Sequence, residues 1–170
     1  AYAHLVGGQD EVVFEGRSFA VDAAGTVAAR APGFVAAQPV WALDTAAGQW
    51  QGTLEPLHDA ESDLWQALTL GLHDYVQKNR FVSVVLGLSG GIDSAVVLAL
   101  AVDALGADKV HAVMMPSPYT ADISLIDARD MAQRLGVRYT ECDVAPAFEA
   151  LCETLAPVFN GAAQDTTEEN

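Results

Sequence analysis

From Ser62 onward the apolar positions fall into a helical rhythm: Leu64, Leu68, Leu72 and Val76 recur every four residues, with Trp65 and Tyr75 beside them. This spacing predicts an amphipathic helix, with Ser62 as N-cap and Asp63 in the first turn, where a carboxylate meets the positive end of the helix dipole. Gly71 inside it works against helix stability. Residues 81–88 are apolar without alternation, which predicts a strand buried on both faces of a parallel sheet. Residues 94–105 read as an almost wholly apolar helix closed by Gly106, and 110–115 as a second strand broken by Pro116-Ser117-Pro118. A third helix over 124–135 opens on Ser124 and Asp127 and ends at Gly136; a third strand covers 137–142, and a fourth helix 147–155 stops before Pro157. Helices alternating with strands in this way predict an α/β fold with a parallel, Rossmann-like sheet of three strands and right-handed crossovers.

The first part of the chain has another rhythm. Short strands over 11–14, 18–21 and 26–28 are separated by Glu15-Gly16-Arg17 and Asp22-Ala23-Ala24-Gly25, both turn signals. Residues 41–61 have no clear period and read as a linker, with Trp41 and Trp50 pinned to a surface. This gives an organisation of 1–40, a linker 41–61, and an α/β segment 62–170.

Composition narrows the function. At 170 residues, 51% apolar and 18% charged, the chain is a folded domain in size and make-up. No apolar run approaches the roughly 18 residues of a membrane span. Eight Lys and Arg against 23 Asp and Glu give a formal charge of −15, which argues against nucleic acid as a partner. An anionic ligand must therefore be held by local dipoles or by a metal ion. Cys142 and Cys152 have no paired-ligand spacing and are expected to be reduced core thiols in a cytoplasmic protein. The chain begins at Ala1 and ends at Thr166-Thr167-Glu168-Glu169-Asn170, where Thr166 and Glu169 have capping-box spacing. A chain that stops as a helix opens is expected to be a fragment.

The chemistry concentrates in Gly87-Leu88-Ser89-Gly90-Gly91-Ile92-Asp93-Ser94, between the first α/β strand and the next helix. Ligands of open α/β sheets bind beyond the carboxyl ends of strands. A helix start offers free N–H groups and a positive dipole end, and adjacent glycines let the backbone come close to a bulky anion. Ser89 and Ser94 add hydroxyl donors to this phosphate nest. The loop lacks the Lys of a Walker A motif and the spacing of GxGxxG. Asp93 within such a nest implies a bridging Mg²⁺ between its carboxylate and phosphate oxygens.

The order Ser-Gly-Gly-x-Asp-Ser after a strand resembles the pyrophosphate loop of the ATP-pyrophosphatase superfamily, whose members cleave ATP between its α and β phosphates. The flanks over 84–95, Met115 to Thr120, Ser124 to Ala128 and Leu135-Gly136 are similar to NAD synthetases. Residues 5–18 resemble the last strands of the nitrilase-like αββα glutaminase domain fused to the synthetase in the glutamine-dependent branch. That domain's Cys nucleophile, Glu and Lys would lie before Ala1, and the deamido-NAD arginines after Asn170. His4, where the family often has Asn, is expected to pack rather than catalyse. Residues 1–58 are too few strands for a closed sandwich and are expected to lean on the synthetase part through Trp41 and Trp50.

The resemblance implies ATP and Mg²⁺ as cofactors. Gly87, Leu88, Ser89, Gly90, Gly91, Ile92, Asp93, Ser94 and Met115 would contact ATP, with Asp93 as metal ligand. Met114, Met115 and Pro116 are candidates for an adenine pocket, against a core role for the methionines. Asp122, Asp127 and Asp130 are read as a solvated face. Asp165, Glu168 and Glu169 could add a metal oxygen or simply start a helix. The implied reaction amidates deamido-NAD to NAD through an adenylate, with ammonia from glutamine, in a full-length homo-oligomer; the piece at hand is expected to be inactive alone. The alternatives are another amidotransferase on the same loop, of the GMP synthetase or tRNA-modifying kind, and a remnant that binds ATP or nothing.

Overall fold

The computed structural model describes residues 1–159; the residues that follow, with Asp165, Thr166, Glu168, Glu169 and Asn170, lie outside the described residues. Two compact units are present: residues 1–83 with 103–106, and residues 84–102 with 107 onward.

In the first unit, β1 (Val6–Gln9) pairs antiparallel with β2 (Val12–Glu15), β3 (Phe19–Val21) with β4 (Val27–Arg30), and β5 (Ala42–Asp44) with β6 (Gln49–Gln51). Glu15-Gly16-Arg17 therefore does not close a hairpin, contrary to the turn reading; it carries the chain from one hairpin to the next. Two of the hairpin turns share one device. Asp22 Oδ1 accepts from the N–H groups of Ala24 and Thr26, each at 2.9 Å, and Asp44 Oδ1 accepts from Ala46 at 2.9 Å and Ala47 at 3.0 Å. Each Asx turn then meets a glycine in the left-handed region, Gly25 at φ +85° and Gly48 at φ +66°. The segment read as a linker thus contains a hairpin. Trp50 Nε1 donates to the Val21 carbonyl at 3.2 Å, and the Trp41 ring lies against Gly52, so both indoles pack within their own unit.

Helix α1 (Ala60–Lys78) starts three residues before the expected position. Its N-cap is Asp59, whose carboxylate accepts from Ser62 N–H at 2.7 Å; Ser62 is the third helical residue. Gly71 meets β1 at close quarters, because a Cβ on Gly8 would lie 3.0 Å from Gly71 Cα. Asp74 Oδ2 accepts from Gly8 N–H at 2.8 Å, and Lys78 Nζ donates to Gly8 carbonyl oxygen, so two helix side chains satisfy the backbone of β1.

The second unit is a parallel sheet in the order β7 (Val84–Gly87), β8 (Val110–Met114), β9 (Arg138–Glu141). Val84 is in register with Val110, and His111 with Arg138. Only the central strand is well covered, with Val110, Ala112 and Met114 buried. The expectation of a first strand buried on both faces is corrected here. Phe81 and Val82 precede β7 and are exposed, and Val85 is 68% exposed on an edge strand with one open face.

Helix α2 (Ile92–Leu105) follows β7, with Gly106 beyond it at φ +86°. A 3₁₀ turn, Ala107–Lys109, leads into β8. Helix α3 (Asp122–Leu135) begins before Ser124, with Ala121 as an N-cap lacking a side-chain bond, and ends on Gly136 at φ +67°. The Ser124–Asp127 pair is therefore inside the first turns and not a cap. Helix α4 (Ala145–Phe159) runs through Pro157, which removes a single N–H near its end. Cys142 and Cys152 are free thiols, and Cys142 is exposed, so the core assignment fails for it. No described helix is long and apolar enough to cross a membrane.

Candidate functional site

The loop after β7 is built by a short sequence of constraints. Leu88 N–H donates to the Val113 carbonyl at 2.8 Å and its side chain is buried, which carries the β7–β8 ladder one step past the strand. The chain then bends at Gly90, φ +80°, and enters α2 at Ile92. Ser89 and Gly91 to Asp93 are exposed.

The two hydroxyls organise the loop from within. Ser89 N–H donates to Ser94 Oγ at 3.2 Å, Gly91 N–H donates to Ser89 Oγ at 3.3 Å, and Ser94 Oγ donates to the Gly91 carbonyl at 3.0 Å. The hydroxyl oxygens are 3.1 Å apart. Since the Ser94 proton goes to Gly91, the shared bond takes its proton from Ser89. Both hydroxyl protons are thus engaged inside the loop, and the donors left for an anion are main-chain ones. The N–H groups of Gly90, Ile92, Asp93 and Ser94 have no partner among the described residues. They lie at the positive end of α2, where an anion is favoured.

A cleft of about 470 Å³ opens beside this bend. Gly87 to Ser89 form one wall, Met114 and Met115 another, and Tyr119 to Ala121 with Ser124 the third. Met114 is buried and belongs to core and cleft at once, Met115 is 53% exposed, and Pro116 is not among the lining residues. The third wall is held in place locally. Ser117 N–H donates to Thr120 Oγ1 at 2.9 Å, Thr120 N–H donates to the Ser117 carbonyl at 3.0 Å, and the Tyr119 ring meets Phe148 of α4 edge-on at 5.8 Å. Tyr119, Thr120, Ala121 and Ser124 were not singled out from sequence as site residues. The signal that could have found them is positional, since they follow the carboxyl end of β8.

A second cleft, about 350 Å³, lies against Gly90 to Ile92 and is bordered by Asp127, Asp130 and Met131. Asp130 accepts from Arg134 at 2.6 Å across one helical turn. Asp93 is exposed in the first turn of α2 and lines neither cleft. Among the described residues no group of three or more His, Cys, Asp or Glu is placed to hold a metal ion. A single carboxylate suits Mg²⁺ only when phosphate oxygens and water complete its shell.

In the first unit His4 packs. Its Nδ1 is 3.2 Å from the Gly16 carbonyl and its ring is edge-on to Phe14 at 5.9 Å.

The family model described as NAD synthase matches residues 64–170. The chain belongs to the NAD synthase family. Its match begins inside α1, so the family segment and the second compact unit do not share an edge. Among curated NAD synthases, the glutamine-dependent NAD(+) synthetase of Acinetobacter baylyi is 43% identical over 170 residues, covering 99% of this chain and 31% of that protein. That of Rhodobacter capsulatus is 46% identical over 173 residues, again covering 99% and 31%. A solved structure of the glutamine-dependent NAD+ synthetase from Acinetobacter baumannii, in complex with ADP, superposes with a TM-score of 0.94 at 39% identity, over 99% of this chain and 32% of that one. The chain thus spans about a third of the length of the relatives it matches. The α/β expectation, with three parallel strands, agrees with the fold and with this family.

Proposed function

We propose that the loop from Gly87 to Ser94 holds the pyrophosphate part of ATP, and that the chain serves the ATP-dependent amidation of deamido-NAD to NAD. The observation that carries this reading is the set of unpartnered N–H groups at Gly90 and Ile92 to Ser94, beside a cleft of nucleoside size. The relative from Acinetobacter baumannii, whose structure contains ADP, supports it. In the proposed assignment Met114, Met115 and Tyr119 flank the base, while the main chain of 89–94 takes the phosphates. Residues 1–40 are the end of a nitrilase-like glutaminase domain and 62–170 the synthetase part. The free thiols fit a reducing cytoplasm, and the full-length protein self-associates.

In the proposed reaction a carboxylate oxygen of deamido-NAD attacks the α-phosphorus, and the bond from that phosphorus to the bridging oxygen breaks, releasing pyrophosphate. Ammonia from glutamine then attacks the acyl carbon; AMP leaves and a proton goes to solvent. The loop donors act where charge grows on the departing phosphates. Asp93, exposed and without a side-chain partner among the described residues, would hold Mg²⁺, which supplies charge neutralisation on the phosphate oxygens when bound.

Calorimetric titration with Mg-ATP tests this. Wild type is expected to bind, and Asp93→Ala to bind at least about tenfold more weakly when magnesium is present. Equal binding by both removes Asp93 and the metal from the site, and no binding by wild type removes the nucleotide. In the full-length protein, amidation of another acid in place of deamido-NAD would overturn the substrate.

A further inference from the structure

This inference rests on the nucleotide reading of the loop and goes one step past it, to what aims the loop. Gly90 is at φ +80°, and a Cβ added there would lie 2.3 Å from the carbonyl oxygen of Ser124, 2.7 Å from its Cα and 2.8 Å from its carbonyl carbon. All three are main-chain atoms, so no change of rotamer makes room. The backbone of the loop and the first turn of α3 are therefore in direct contact. Gly90 and Ser124 border different clefts, Ser124 the larger and Gly90 the smaller, so the contact stands between them.

Helix α3 is itself fixed to the sheet. Ala128 and Ala132 are buried, and Arg129 donates through Nε and Nη2 to both carboxylate oxygens of Glu141 on β9, at 2.5 and 2.8 Å. The loop's own hydrogen bonds run between Ser89, Gly91 and Ser94, on either side of Gly90, and none is made by Gly90 itself. We infer that the first turn of α3, at Ser124, is the seat that sets the left-handed bend at Gly90. Ser124 is thereby a positioning residue for the anion-binding N–H groups. It acts through its backbone, which meets Gly90 where α3 borders the cleft assigned to the nucleoside. Seating of the loop and order in the first turn of α3 are then one property, and nucleotide that selects the seated loop steadies the helix start as well.

The test compares two glycines of this unit that share a left-handed backbone but differ in surroundings. Gly136, at φ +67° on the end of α3, has nothing within 4 Å of an added Cβ. Gly136→Ala suffers backbone strain alone; Gly90→Ala adds the overlap with Ser124. In Mg-ATP titrations Gly136→Ala is expected to lower Tm but keep affinity within about twofold. Gly90→Ala is expected to keep the far-ultraviolet dichroism of wild type and lose roughly tenfold to a hundredfold in affinity. Equal affinity in the two variants overturns the seat. Should Gly90→Ala fail to fold, hydrogen exchange on wild type decides. Mg-ATP must slow the amides of residues 124–128 more than those of β9, and equal slowing overturns the inference. A wild type that binds no nucleotide fails the preceding proposal instead, so the two failures are separable.

Discussion

Arg17 and Asp63 show how a single side chain can be given work the sequence pattern does not announce. Asp63 is in the first turn of α1, where the dipole alone would justify it. Its partner is Arg17, in the left-handed region at φ +51°, whose Nη1 donates to Oδ2 at 2.8 Å and whose Nη2 donates to Oδ1. The guanidinium also stands 5.4 Å from the centre of the Phe34 ring. Hydrogen bonding from Arg17 holds the Asp63 carboxyl below the usual carboxylate range, and Asp63 in turn raises Arg17. A carboxyl with a depressed folded-state pKa adds stability above its unfolded value, about 3.9, and loses it as the pH falls through the folded value. Asp63→Asn is therefore expected to melt below wild type at neutral pH. The gap should narrow in acid, below about pH 4. Melting curves from neutral pH downward check this, and a gap that stays constant through the acid range would assign the effect to packing against Phe34 instead.

At the scale of elements, glycine has opposite meanings at positions that look alike in sequence. Gly71 counts against a helix by propensity, while Gly8 is what lets β1 meet α1. An added Cβ there would meet only Val13 Cγ2 at 3.2 Å, whereas one on Gly8 would lie 3.0 Å from Gly71 Cα and 3.3 Å from Asp74 Cβ. Gly71→Ala gains about 1 kcal/mol of helix propensity against a methyl group that can shift. Gly8→Ala must displace a helix backbone, at a cost of about 1–3 kcal/mol. Urea unfolding is expected to rank Gly8→Ala well below Gly71→Ala, with the latter near wild type. The same distinction explains what was legible. The α/β alternation and Gly106 and Gly136 as helix ends were readable because period and left-handed caps are local properties. The Ala42–Asp44 hairpin was not read, although Asp44 and Gly48 repeat the device of Asp22 and Gly25, because its strands are three residues long and carry no period. The loop after β7 was visible as a motif, but the inward engagement of Ser89 and Ser94 and the contact of Gly90 with Ser124 were not. These depend on where α3 begins relative to β7, and spacing along the chain does not contain that.

At the scale of the whole chain, charge and ligand are in opposition. With a formal charge of −15 from 8 basic and 23 acidic residues, the long-range field repels a triphosphate, while the proposed loop attracts it only through N–H dipoles that act over a few ångströms. The two ranges respond differently to salt. At about 0.1 M ionic strength the screening length is near 10 Å, which removes much of the distant repulsion and leaves contacts at hydrogen-bond distance nearly intact. Mg-ATP affinity, at constant free magnesium, is therefore expected to hold steady or to rise as sodium chloride goes from about 10 to 150 mM, with the gain in the association rate. A ligand gripped by a basic cluster behaves in the opposite way, losing affinity steeply as its counterion advantage is screened. Titrations across that salt range, with stopped-flow association rates alongside, distinguish the two. A steep fall would mean that lysines and arginines, and not the main chain after β7, carry the phosphates.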